Sequence, residues 1–186
     1  MVTQNDVMFK HNTGFDEMRI NECSSSGDIG NPQLPVKVLS FVLPYNFTVT
    51  GVVINSIVQE KLSENFYIFP AQPPRRLDGS EEPPFVEPNS AIYGSSAPYP
   101  NKTVEIINDV YTHGYHVVTV AIYPVVYHPA NREIYLRDIS FTINYNNSFD
   151  SRLSIPFEKQ SLSRAELGKQ FVKSMVKNMG DVENLS

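Results

Sequence analysis

Between residues 139 and 145 the chain alternates strictly: Ile139, Phe141, Ile143 and Tyr145 are separated by Ser140, Thr142 and Asn144. A side-chain period of two is the signature of a half-buried strand. Upstream, Ile134 and Leu136 continue the pattern up to Arg137 and Asp138, where a bend or bulge is expected. Residues 117–123 are apolar or β-branched on both faces, as in a central strand covered on two sides, and Pro124 and Pro129 limit ladder pairing just beyond. Further strand candidates are 6–10, 15–21, 36–43, 48–60, 65–69 and 103–111. So many short strands with turn residues between them predict an all-β chain, an antiparallel β-sandwich.

Two regions break the pattern. From Pro70 to Pro100 the chain holds eight of its fourteen prolines and almost no periodicity. A connection this long is usually functional or disordered; its prolines argue against helix, and Asp78, Glu81, Glu82 and Glu87 make it acidic. The second break begins at Phe157. Leu167, Phe171, Met175 and Met179 recur at every fourth position, which predicts an apolar helical stripe. Ser163 to Glu166 fits a capping box, and Gly180 is a natural stop. A helix this short needs a surface to dock on. The domain reading is therefore a sandwich over 1–156 and a helical tail or linker over 157–186.

Composition narrows the partners. A chain of 186 residues with 41% hydrophobic content can bury one real core. A net charge of -5 with scattered lysines and arginines argues against nucleic acid and against an anionic membrane surface. No apolar run approaches the roughly 20 residues that cross a bilayer. Residues 1–6 have neither a basic nor an apolar leader segment, so a secretion signal is expected to be removed or lacking.

Candidate chemistry is thin. Cys23 is the single cysteine, which leaves no intrachain disulfide, and no activating base marks it as a nucleophile. It reads as a small structural hydrophobe. His113, His116 and His128 can be written as a metal cluster but lack a carboxylate ligand set, and ordinary strand and turn histidines are the better reading. There is no phosphate-cradling glycine pattern. Glu81 and Glu82 would need a rigid loop to act as a paired-carboxylate site, and the aromatic residues interleave with neutral and acidic ones, unlike a base-stacking platform. No cofactor is implied.

An ordered series of segments adds a specific likeness: Gly30-Asn31-Pro32-Gln33-Leu34-Pro35, Phe41-Val42-Leu43-Pro44, Phe69-Pro70-Ala71-Gln72-Pro73-Pro74, residues 114–120, and Tyr123-Pro124-Val125-Val126-Tyr127-His128-Pro129 leading into 139–145. The series resembles the propeptide domain of gingipain-type cysteine peptidases. The resemblance implies a non-catalytic prodomain of a secreted or cell-surface precursor. Such a domain would maintain latency and assist folding by covering the active-site cleft, with the cognate cysteine protease catalytic domain of the same precursor as its partner. It also implies that a loop residue enters the protease's specificity pocket. Arg75 and Arg76 are the candidates, because a guanidinium fork meets a buried carboxylate with two charge-assisted hydrogen bonds; Tyr93 is the alternative anchor. The stretch Phe171 to Asn178 is similar to one that leads into the catalytic region in such precursors. The competing function class is an adhesive or ligand-binding β-sandwich of a surface protein, since fold alone does not separate the two.

Overall fold

The computed structural model describes residues 6–12, 14–44, 47–75, 81–147 and 162–184. The chain is mostly antiparallel β-sheet, an all-β, sandwich-like fold with short helices. The strands are β1 (Val7–Asn12), β2 (Phe15–Ile20), β3 (Ser24–Ser26), β4 (Leu34–Leu43), β5 (Phe47–Lys61), β6 (Val104–Thr112), β7 (Tyr115–Ile122), β8 (Val125–His128) and β9 (Glu133–Asn147). The described helices are α1 (Ser90–Tyr93), α2 (Leu162–Met175) and α3 (Met179–Asn184), and a 3-10 turn lies at Pro129–Asn131. The strands pair as β1-β2, as β3-β4-β7-β6 and as β5-β9-β8.

Two compact units divide these elements: residues 1–37, 56–103 and 123–139 form the first, and 38–55, 104–122 and 140–186 the second. The first unit is centred on Met18, Ile68, Val125, Tyr127, Ile134 and Leu136, all nearly or fully buried. Burying aliphatic and aromatic side chains of this size contributes about 1.5–3 kcal/mol each. The Tyr127 hydroxyl satisfies itself inside this core by donating to the Phe66 carbonyl at 2.9 Å. Cys23 packs half-buried against the same cluster, and burial raises its thiol pKa. The second unit is centred on Val42, Tyr115, Val117, Val172, Val176 and Val182.

The structure bears on several sequence expectations. β9 is a single strand that includes Arg137, which is buried. Its side chain donates to the Lys102 carbonyl at 2.8 Å and to Thr103 Oγ1 at 3.3 Å, so oxygens hold this buried charge within the strand. Segment 65–69 forms no strand. It touches β2 through the isolated bridge Asp16–Ile68, with Asp16 Oδ2 accepting from the Tyr67 amide at 2.7 Å. β8 forms between Pro124 and Pro129, because the residues that pair, Val125 to His128, all retain their amide hydrogens. β7 is buried along nearly its whole length and lies between β4 and β6, as the two-faced apolar pattern requires. His113 and Gly114 turn the β6–β7 hairpin with φ of 50° and 84°, a pair of positive values suited to the twist of a two-residue turn.

The tail departs most from its reading. Leu167, Phe171, Met175 and Met179 face outward, 68%, 49%, 42% and 55% exposed, while Ala165, Gly168 and Val172 are the buried face of α2. Small residues win because the helix comes close: a Cβ at Gly168 would lie 2.8 Å from His113 Cβ. Ser163 lies inside the helix, which begins at Leu162, so it does not serve as the cap of a capping box. α2 ends at Met175, before Gly180, which sits within α3. The stop is made by pairing instead. Val176 bridges Ser40 in parallel, the Lys177 amide donates to the Ser40 carbonyl at 2.9 Å, and the Asn178 carboxamide binds both backbone groups of Val42.

Candidate functional site

The proline-rich connection is tied down along the described parts of its length, all within the first unit. Two of the segments singled out in the sequence meet at its base. The Gly30 amide donates to the Ala71 carbonyl and the Ala71 amide to the Asn31 carbonyl, both at 2.8 Å, and the Gln33 amide donates to the Phe69 carbonyl at 2.9 Å. Proline-rich chain cannot form a continuous ladder, so the non-proline residues among the prolines carry the pairing.

Gln72 then closes the loop. Its Oε1 accepts from the Val86 amide at 2.8 Å, and its Nε2 donates to the Val86 carbonyl at 2.9 Å and the Pro70 carbonyl at 3.0 Å. One side chain thus imitates a peptide group and holds both limbs of the loop together. Further along, the Asn89 amide donates to the Gly30 carbonyl at 2.8 Å, and its side chain caps α1 through the Ala91 amide at 3.1 Å. This single helical turn corrects the expectation that the prolines exclude helix. The return limb ends in reciprocal backbone bonds between Tyr99 and Tyr127, 2.8 and 2.7 Å long.

An aromatic platform stiffens the same base. Phe15 stacks on Tyr67 with centroids 5.1 Å apart, Phe69 and Phe85 pack against Phe15 at 5.8 and 6.0 Å, and the Arg132 guanidinium lies 4.6 Å over the Tyr67 ring. Offset and tilted aromatic pairs of this kind contribute about 0.5–1.5 kcal/mol each beyond their buried area.

The candidate anchors occupy different settings. Arg75 stands at the end of the outgoing limb with its side chain 81% exposed; its Nε lies 3.9 Å from Glu82 Oε1 across the loop, a solvent-screened pair that is easily given up. Arg76 lies outside the described residues. Tyr93 is turned inward: its hydroxyl donates to the Ile68 carbonyl at 2.7 Å, its ring meets Tyr67 edge-on at 5.5 Å, and burial raises its pKa strongly. Glu82 is exposed and paired with Arg75, and Glu81 is likewise on the surface. Sequence reading missed the Gln72 clamp, whose only signal is a glutamine set between prolines.

The histidines are dispersed. His113 is in the β6–β7 turn beside Phe171, with ring centroids 5.0 Å apart. His116 is fully buried with Nε2 2.6 Å from Asp109 Oδ1, and His128 closes β8 against Tyr135. Among the described residues no three His, Cys, Asp or Glu side chains are grouped to hold a metal ion. No described helix is long and apolar enough to cross a membrane.

Comparison with known proteins agrees with this architecture. The structure is similar to that of gingipain K from Porphyromonas gingivalis in a study of its zymogenic latency, with TM-score 0.65 and 19% identity over 76% of this chain and 81% of the other. It is also similar to a complex of the Porphyromonas gingivalis RgpB pro- and mature domains, with TM-score 0.70 and 14% identity over 94% of this chain and 88% of the other. At such identities the likeness is one of fold. No curated protein sequence matches the chain. The profile of the C25 propeptide family, Propeptide_C25, matches residues 3–164. That span holds the anchored loop and every strand, and the chain therefore belongs to the C25 propeptide family, as a non-catalytic propeptide of a cysteine peptidase precursor.

Proposed function

We propose that this chain is the N-terminal prodomain of a secreted gingipain-like cysteine endopeptidase, keeping the enzyme latent by covering its active-site cleft and assisting its folding. The observation that carries this reading is the loop: its base is clamped by Gln72 and the paired segments 30–33 and 69–71, while Arg75 projects 81% exposed from its outgoing limb. A substrate-like inhibitor needs that combination. A fixed base lowers the entropy lost on binding, and an accessible cation can enter an acidic pocket.

In this reading Arg75 or the adjacent Arg76 enters the specificity pocket. Tyr93 is the weaker anchor, because withdrawing it would leave the Ile68 carbonyl without its donor. Residues 1–156 form the inhibitory module, and 157–186 lead toward the catalytic domain. The zymogenic latency described for gingipain K and the pro- and mature-domain complex of RgpB support the same assignment by analogy of fold.

The test is inhibition in trans of the cognate catalytic domain at fixed salt. Replacing Arg75 and Arg76 together by alanine should weaken inhibition by about 2 to 5 kcal/mol, because the pocket carboxylate is left buried and unpaired. Equal inhibition constants for wild type and the double variant would remove the arginines from the mechanism; deleting residues 75–82 without loss of inhibition would remove the loop as well.

A further inference from the structure

The second unit contains a pocket of 490 Å³ that the inhibitory reading does not use. Its volume falls in the range of small-ligand sites, about 300–1,000 Å³. The strand period builds its apolar walls. Phe141 and Tyr145 share one face of β9, and Phe41 and Pro44 reach it from the end of β4. Phe41 and Phe141 meet nearly edge-to-face, centroids 6.5 Å apart at 79°. The apolar alternation that predicted core at this end of β9 is thus only partly covered; Tyr145 is 44% exposed.

Among the described residues that line this pocket Asp181 is the one with a charged side chain, and none of them is a lysine, arginine or histidine. Asp181 is held in place. Its Oδ2 accepts from Asn178 Nδ2 at 2.9 Å, and its amide donates to the Asn178 carbonyl at 3.0 Å. Asn178 is in turn fixed by its two bonds to the Val42 backbone. A chain of hydrogen bonds therefore runs from a buried strand to an oriented carboxylate beside aromatic walls.

We infer that this pocket binds an arginine side chain presented by a partner polypeptide. A planar guanidinium stacks on aromatic faces, meets a carboxylate through its fork, and buries its apolar stem along hydrophobic surface. An anion would face Asp181 without a compensating cation, and a purely apolar group would leave the carboxylate desolvated. The pocket involves neither Arg75 nor Arg76.

The experiment is an NMR titration of the 15N-labelled chain with Nα-acetyl-arginine N-methylamide and, in parallel, the neutral isostere Nα-acetyl-citrulline N-methylamide. The arginine compound should shift the amides of Phe41, Phe141 and Asp181 saturably and bind at least tenfold more tightly than the citrulline compound. Asp181→Asn should bring the two ligands to within about twofold of each other while leaving the remaining spectrum in place, and Asp181→Glu should restore part of the preference. Should Asp181→Asn loosen α3, seen as lost protection of the Val42 amide, the Asp181→Glu comparison and the salt dependence of the arginine preference carry the test. Equal binding of the two compounds, shifts confined to other surfaces, or an unchanged preference in Asp181→Asn would each overturn the inference.

Discussion

Among the contacts that hold the tail against β4 within the second unit, the Asn178 side chain is one whose removal has a calculable effect. Asn178 Oδ1 accepts from the Val42 amide at 2.9 Å, and Asn178 Nδ2 donates to the Val42 carbonyl at 2.8 Å. Val42 is 2% exposed, so neither backbone group has ready access to bulk water. Two ordinary hydrogen bonds contribute about 1 kcal/mol each, and leaving buried partners unpaired costs about 1–3 kcal/mol apiece. The adjoining pocket can admit water to part of the site, which favours the lower half of that range. Asn178→Ala should therefore destabilise the docked tail by about 2–4 kcal/mol. Native-state hydrogen exchange reads this locally: protection of the Val42 amide should fall by a factor of about 30 or more, since each 1.4 kcal/mol is tenfold. Asn178→Asp retains an acceptor for the Val42 amide but sets a second carboxylate against the Val42 carbonyl and Asp181. Both neighbours raise the folded-state pKa of the new carboxyl above its unfolded value near 3.9. Its stability should then be greatest below about pH 4 and fall as pH rises through the raised folded value. A Val42 amide protected equally in wild type and Asn178→Ala would refute the reasoning and place the attachment of the tail in its apolar face alone.

The remaining predictions bear on the same structure. Gly168→Ala forces a methyl to 2.8 Å from His113 Cβ and should cost about 1–3 kcal/mol by overpacking, read as a lowered urea midpoint. Val172→Ala, at a site of 0% exposure, should destabilise by about 2 kcal/mol, whereas Leu167→Ser, at 68% exposure, should change stability by less than about 0.5 kcal/mol; the reverse order would restore the outward stripe as the docking face. Tyr127 is buried and its phenol is pushed up to about 12, so its contribution is complete below the unfolded value near 10 and is lost as pH rises through 12. Tyr127→Phe should flatten that alkaline limb in a pH series of denaturation curves, and an unaltered limb would assign it to other groups. Cys23 should react with thiol reagents more slowly than a free cysteine near pH 8, because burial raises its pKa; a rate equal to that of the unfolded chain would contradict the packed setting.

Period and punctuation in the sequence determined the longer strands, because alternation specifies which residues face a core whatever that core turns out to be, whereas short β3 and β8 and the unpaired segment 65–69 depended on their partners. The buried course of β7 and the residues of β4 and β9 were legible in this way, as was the order of segments that marks the family. Other features depended on partners distant in the chain. Gln72 becomes a clamp only when Val86 is brought opposite it, and Asn178 becomes a strap only because the edge of β4 at Val42 needs hydrogen bonds there. The tail shows the same limit most clearly. Leu167, Phe171 and Met175 form the larger apolar stripe, yet the helix turns it outward. Its docking is decided by the close approach that Gly168 permits beside His113 and by the fit of Val172 and Val176 against Val42, Tyr115 and Val117. Hydrophobicity along a helix states how much surface is to be buried; only the shape of the surface it meets decides which face that is.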